Sequence, residues 1–405
     1  MSHVVIDMTP LEPGGLNGGA GLVAVSLARY LPRLAPEMRW TLLTSHCTHA
    51  ELASLDASNL QRLCVIPAAR PGQRLRARGR AALRAVLPAV AAAHIGELLS
   101  RFRSRKVLLP QLESLGADLL FCPFTIAYFW NPGTPMVSTV HDLQELTYPQ
   151  FFTPEQRLNR NRQIREACAR AARIVCVSEY VRGTLLANVG VAPARVRTIR
   201  LGLLHELNDP GAQDRHGLEA LGLRPAHFLL YPANFWPHKN HRTLFEALLR
   251  YRARRPRSDL QLVCTGAANA AMRSLQSDAP AGVVFTGYAP SADMHWLVRS
   301  CAAIIFPSLY EGFGLPAVEA MACGKPILCS SVTSLPEVVG DAGLYFDPTD
   351  PDQIADAIVR LEDEPAQVAE MVSRGHTRAA DLGTGRDVAG RYLELFQEVL
   401  AERGA

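Results

Sequence analysis

No stretch of this 405-residue sequence approaches the roughly 20 uninterrupted apolar positions that a helical membrane span requires, so an integral helical membrane protein is excluded as a reading. Nine cysteines are scattered along the chain, an odd number with no C-x-x-C pair. That distribution suggests neither a disulfide framework nor a zinc site. The opening "MSHVVIDMTP" reads as a short strand and a turn rather than a secretion signal, so a reduced, cytoplasmic setting is expected. Aromatic residues make up only 7% of the chain, and the most basic stretch, 70–106, holds a single one, Phe102, which leaves nucleic acid short of stacking platforms. No repeat of solenoid period is visible, and no G-x-G-x-x-G fingerprint occurs in the glycine-rich loop near the amino terminus.

What is present is the pattern of doubly wound α/β domains. Short apolar runs alternate with helical segments: "HVVID", "RWTLLTS", "RLCVIP", "DLLFCP", "MVSTVHD" and "RIVCVS", then "FLLYPAN", "LQLVCTG", "VVFTG", "AAIIFPS", "KPILCSS" and "AGLYF". A composition of 48% hydrophobic residues over this length supports two cores rather than one. The turn-rich "LHELNDPGAQDRHGLEALGLRPAH" separates the two sets and places the junction near residue 203. Two such domains facing each other would leave a cleft at the carboxyl ends of both sheets, where folds of this kind bind ligands.

Charge is uneven. From Arg70 to Lys106 ten basic residues stand against one acid, Glu97, a surplus of nine, so the rest of a chain of net charge +4 is net −5. Leucines and other apolar residues interleave with these arginines, which favours an anionic membrane surface as partner of 70–106. An ordinary solvated helical face is the plain alternative.

Four segments put chemistry-bearing residues at strand ends. In "PLEPGGLNGGAGLVAV", glycines including Gly18 and Gly19 precede a helix, where backbone N–H groups can approach an anion; a flexible surface loop is the alternative. In "VSTVHDLQELTYP", His141 and Asp142 follow a buried strand directly. In "YPANFWPHKNHRTLFEALL", Lys239 stands beside a helix amino terminus, a place for a phosphate.

The fourth is "EGFGLPAVEAMACGKPI", where Glu311 and Glu319 bracket a tight turn and the first turn of a helix. Eight residues at about 1.5 Å rise separate them by roughly 12 Å, too wide for two-carboxylate hydrolysis of a glycosidic bond, which needs about 5 to 9.5 Å. With a diphosphate docked on the helix amino terminus near Gly314, one glutamate can reach sugar hydroxyls and the other a ribose diol.

With "PHKN", "TVHDL", "VCVSEYVRGTL" and "SLPEVVGDAGLYFDP" in the expected order, "SLYEGFGLPAVEAMACGKPILCS" resembles the E-x7-E signature of the retaining GT-B glycosyltransferases of sequence family 4. The resemblance implies an α/β GT-B architecture of two Rossmann-like domains. These are an acceptor-binding domain over 1–202, a nucleotide-sugar-binding domain over 203–385, and a helix over 386–405 crossing back to the first. It implies a nucleotide-diphosphate sugar donor, GDP-mannose being one candidate, a saccharide or lipid-linked acceptor, no cofactor and no essential metal.

By the same resemblance His141, Lys239 and Glu311 are the catalytic candidates. Lys239 would neutralise the diphosphate, Glu311 hold donor-sugar hydroxyls and Glu319 the ribose, while the N–H groups of Phe313, Gly314 and Leu315 bind phosphate. Gly18, Gly19, Asn234, Gly287, Tyr288 and Gly312 complete the expected donor-binding set. Asn234 lies where many relatives carry an arginine, and "IRLGLLHE" departs from the usual hinge segment, which leaves sugar identity open. No motif supplies a carboxylate below the anomeric carbon, so front-face displacement is expected, with the departing diphosphate taking the acceptor proton. The rival readings are an epimerase or a phosphorylase on the same fold, and a catalytically silent binding subunit.

Overall fold

The structure is a computed structural model, and it describes residues 1–68, 115–126, 128–204 and 221–404. The basic segment 70–106 lies outside the described residues, as does most of the turn-rich stretch after residue 203. Contacts divide the chain into two units, one of 1–177, 181–199 and 388–405 and one of 178–180 and 200–387.

In the first unit the strands are β1 (His3–Asp7), β2 (Arg39–Ser45), β3 (Leu60–Ile66), β4 (Leu119–Cys122), β5 (Met136–Val140), β6 (Arg173–Cys176) and β7 (Val196–Thr198). They pair in the order β3-β2-β1-β4-β5-β6-β7, every pair parallel. The second unit has β8 (Phe228–Pro232), β9 (Gln261–Thr265), β10 (Val283–Gly287), β11 (Ala303–Phe306), β12 (Ile327–Ser330) and β13 (Leu344–Phe346). Their order is β10-β9-β8-β11-β12-β13, again all parallel. Both are doubly wound, Rossmann-like sheets. The direction of winding reverses between β1 and β4 in the first and between β8 and β11 in the second, and such reversals open a crevice at the strands' carboxyl ends.

Parallel strands covered on both faces are mostly apolar, and β1, β4, β5, β11 and β12 are buried at every position. The helices that matter below are α1 (Gly19–Leu34), α2 (Pro154–Arg170), α3 (Glu179–Val189), α4 (His241–Arg254), α5 (Leu315–Ala322), α6 (Leu335–Val339) and α7 (Gly385–Gly404). α2 begins with a capping box, Thr153 and Gln156 each satisfying the other's backbone N–H. No helix among the described residues is long and apolar enough to cross a membrane.

From Val388 onward, all but its first three residues, α7 joins the first unit. Tyr392 and Phe396, both fully buried, set their rings 5.4 and 5.1 Å from that of Phe121 on β4. The Tyr392 hydroxyl, which could not be buried unpaired, lies 3.0 Å from Thr139 Oγ1. Replacing Phe396 by Ala leaves a cavity against β4, with an expected cost of about 3–5 kcal/mol. Urea unfolding of the full chain checks this: the transition of the first unit should move to lower urea, and an unmoved midpoint would mean α7 contributes little to that core.

Candidate active site

In the second unit the loops leaving β8 and β11 flank the reversal of strand order, and they carry Lys239 and Glu311. Lys239 Nζ donates to Glu311 Oε1 at 2.6 Å, with only 13% and 12% of the two side chains exposed. The sequence reading gave these residues separate ligand groups, and the structure brings them into direct contact. Beneath the pair, the buried Tyr231 hydroxyl donates to the Lys239 carbonyl at 2.7 Å and lies 3.0 Å from Ser308 Oγ. The Leu309 N–H donates to the His238 carbonyl, tying the two loops again. Asn240, which follows Lys239, ties several loops together. It sits in left-handed conformation (φ 60°) and caps α4, with its amide donating to the carbonyls of Pro307 and Pro348. Next to it His241 is buried among Tyr231, Phe235 and Phe245, and burial together with the nearby Lys239 charge lowers it to about 3.

The other expected donor residues lie on neighbouring strand ends. Asn234 follows β8, and its Oδ1 accepts the Ala267 N–H at 2.9 Å. These two loops approach so closely that a Cβ on Gly266 would stand 2.7 Å from the Ala233 carbonyl oxygen. Gly287 ends β10, its carbonyl accepting the Gly266 N–H, and Tyr288 beyond it is largely exposed.

The Glu311 loop is held by its backbone. Glu311 N–H donates to Thr333 Oγ1 at 3.1 Å, while Ser334 Oγ donates to the Glu311 carbonyl and Ser178 Oγ to that of Gly312. Gly314, at φ 95°, caps α5, and a Cβ there would meet Leu335 Cδ2 at 2.8 Å. The first bond closing α5 runs from the Ala317 N–H to the Gly314 carbonyl, so the N–H groups of Leu315 and its predecessors have no acceptor within the helix. N–H groups left open at a helix start are of the kind that can receive an anion, and Phe313 and Leu315 are buried here. Glu319 lies one turn further on, partly exposed, and burial lifts its carboxyl to about 7.

The first unit holds the remaining candidates. His141 follows β5, and its Nε2 lies 2.7 Å from the Pro123 carbonyl. A carbonyl only accepts, so Nε2 carries the proton and Nδ1 is left as the ring's acceptor. Burial keeps the ring below its usual pKa, hence neutral at pH 7. Asp142 is engaged with Arg160 on α2, which also binds the buried Glu145 at 2.8 Å. Gly18 caps α1 and Gly19 is its first residue, the loop before them folded by the Asn17 side chain, which accepts the Glu12 N–H and donates to the Pro10 carbonyl.

Sequence reasoning missed Asp7, buried at the end of β1. Its Oδ1 accepts from the N–H and hydroxyl of Thr9, its Oδ2 has no partner among the described residues, and burial raises it to about 7. A carboxylate closing the apolar run Val4–Ile6 was the available signal. Ser178 and Glu337 were missed too, and a hydroxyl or carboxylate bonded to backbone leaves no spacing to read.

The family model for Glycosyltransferase Family 4 matches residues 17–206, and that for Glycosyl transferases group 1 matches 226–364. The O-antigen chain mannosyltransferase B of Escherichia coli is 32% identical over 244 residues, 56% of this chain and 61% of the relative. The MMP alpha-(1->4)-mannosyltransferase of Mycolicibacterium hassiacum is 30% identical over 237 residues, 57% of this chain and 55% of the relative. The matches thus span less than two thirds of these relatives' lengths. Among solved structures, Anabaena HepE in complex with UDP and glucose superposes with a TM-score of 0.68 at 16% identity, covering 98% of this chain and 100% of that one, a likeness of fold.

Lys239→Met leaves the Glu311 carboxylate largely buried without its cation, and removing one partner of such a pair costs about 3 kcal/mol or more. Adding Glu311→Leu should recover much of that loss. Thermal unfolding of the single and double variants checks the pair: a double variant as unstable as the sum of both single variants would show that the two charges do not support one another.

Proposed function

Since the chain belongs to the family 4, group 1 glycosyltransferases, we propose that it is a retaining hexosyltransferase using a nucleotide-diphosphate sugar. The observation that carries this reading is the Lys239–Glu311 pair at the reversal of strand order, beside the open N–H groups that begin α5. An ammonium with helix N–H groups suits a diphosphate, and a carboxylate suits vicinal hydroxyls. On this reading Lys239 turns from Glu311 to the diphosphate, and Glu311 accepts hydrogen bonds from the donor hexose. Glu319 accepts from the ribose diol.

In the reaction the bond from the anomeric carbon to the diphosphate oxygen breaks while the acceptor oxygen bonds on the same face. The acceptor's proton passes to a diphosphate oxygen. Negative charge grows on the leaving group, so Lys239 and the α5 terminus act most strongly in the transition state. His141, neutral and with Nδ1 as acceptor, would hold a donor-sugar hydroxyl near the reacting carbon. The mannosyltransferase names of two relatives support mannose as the transferred hexose and GDP-mannose as the donor tested first. The O-antigen relative supports a saccharide or lipid-linked acceptor in surface glycan assembly. The basic segment 70–106 would serve such an acceptor at the inner face of the plasma membrane.

Incubating the protein with GDP-mannose, UDP-glucose and other nucleotide sugars, with and without lipid extract, tests the reading. Acceptor-dependent release of nucleotide is expected, and release from no donor would overturn it. Glu311→Gln should lower turnover at least tenfold and leave affinity for the bare nucleoside diphosphate nearly intact; loss of nucleotide binding would move Glu311 to the ribose. Because the Glu319 carboxyl titrates near 7, nucleotide affinity should fall as pH drops from 8 to 6, when the carboxyl takes up a proton and accepts less well. Glu319→Gln should weaken binding at pH 8 by roughly tenfold and remove that part of the pH dependence, as calorimetry at several pH values would read. An identical pH profile in the variant would take Glu319 out of nucleotide binding.

A further inference from the structure

The peptide Ser178–Tyr180 clusters with the second unit, although the residues before and after it belong to the first. It opens α3, and its backbone is held by one carboxylate. Glu337 Oε1 accepts the Glu179 N–H at 3.0 Å and Oε2 the Tyr180 N–H at 3.1 Å, while Arg200 Nε donates to Oε1 at 2.7 Å. Charge-assisted bonds at a helix amino terminus are the stronger kind. The Ser178 side chain, completely buried, then reaches the Gly312 carbonyl at 2.8 Å.

The same short stretch that supplies Glu337 also templates the rest of the Glu311 loop. Thr333 and Ser334 bind the N–H and carbonyl of Glu311, and Leu335 lies where a Cβ of Gly314 would have to go. In a trans peptide the N–H points opposite the carbonyl, so a carbonyl of this loop turned inward onto a hydroxyl turns the N–H of the next residue outward. Gly312 is the last residue before the N–H groups of Phe313, Gly314 and Leu315, and the Ser178 hydroxyl is bonded to its carbonyl.

We infer that Ser178 is a positioning residue for the phosphates of the donor: anchored by Glu337, it turns the Gly312 carbonyl inward and so aims the N–H groups of 313–315 at the diphosphate. This inference rests on the reading of the second unit as the nucleotide-sugar site. It has a signature that a general loss of stability lacks. A misaimed N–H cluster weakens phosphate binding and leaves recognition of base and ribose alone.

The test compares wild type, Ser178→Ala, Ser178→Thr and Glu337→Gln. GDP and UDP affinities come from calorimetry, guanosine and uridine binding from ligand-observed NMR, and thermal unfolding serves as control. Ser178→Ala should weaken nucleoside diphosphate binding about fivefold, the worth of one neutral hydrogen bond, with nucleoside binding unchanged. Ser178→Thr, which keeps the hydroxyl, should restore most of the affinity. Glu337→Gln, which keeps an acceptor but not the charge shared with Arg200, should show the same split more weakly, and it carries the test if Ser178→Ala does not fold. Diphosphate affinity unchanged in Ser178→Ala, or nucleoside and nucleoside diphosphate weakened alike, would overturn the inference. A wild type that binds neither GDP nor UDP would instead overturn the nucleotide-sugar reading beneath it.

Discussion

Lys239 and Glu311 bring opposite charges to 2.6 Å in a setting from which most water is excluded. Taking two ions out of water costs several kcal/mol each, and their attraction repays it only when the geometry is tight. Much of the surrounding structure serves that condition. Tyr231 bonds to the Lys239 carbonyl from below, the His238 carbonyl accepts from Leu309, and Asn240 bonds to the Pro307 and Pro348 carbonyls. A buried pair of this kind is weak evidence for stability in itself. Under the proposed function its use is as an exchangeable pair: opening it is compensated only by a ligand that offers an anion to the ammonium and hydroxyls to the carboxylate together. A nucleotide or a free sugar meets half of that requirement.

The loop that presents Glu311 depends on backbone conformation as much as on charge. Gly314 must adopt φ 95° and must have no Cβ, because Leu335 fills that space. Thr333 takes a left-handed conformation, φ 58°, at the residue whose hydroxyl receives the Glu311 N–H. Such strain in a β-branched residue persists only where its surroundings over-determine it, and here α6 and the Ser334 hydroxyl do so. The helix amino terminus of α5 is therefore an oriented feature, set by residues 333–337 and by Ser178.

The two sheets were legible in the sequence because strands buried on both faces are rich in apolar residues: "HVVID" and "RWTLLTS" coincide with β1 and β2. β7 was not, since only Val196 of its three residues is buried and Arg197 and Thr198 carry no apolar pattern. The strand ends that precede His141, Lys239 and Glu311 were legible for the same reason as the strands. The contact between Lys239 and Glu311 was not, as spacing along a chain says nothing about two loops 72 residues apart. Nor was the role of Asn240, whose left-handed backbone accompanies an amide bonded to two carbonyls from distant loops.

Two carboxyls stand apart from the rest in what burial does to them. Asp7 closes β1 in the first unit and Glu319 lies within α5 in the second, and both are raised to about 7. With a folded pKa above the unfolded value, each costs stability as pH climbs from the ordinary carboxylate range through 7, because the unfolded chain gives up its proton first. Neither position demands an acid for the fold: the residues of β1 between His3 and Asp7 are Val, Val and Ile, and α5 is otherwise Leu, Pro, Ala, Val and Met. Groups held at such cost concentrate where ligands are recognised. Both also lie on the carboxyl side of a sheet. For Asp7 the strand-end position and the effect of burial coincide, and they do so independently of the charge pair at Lys239.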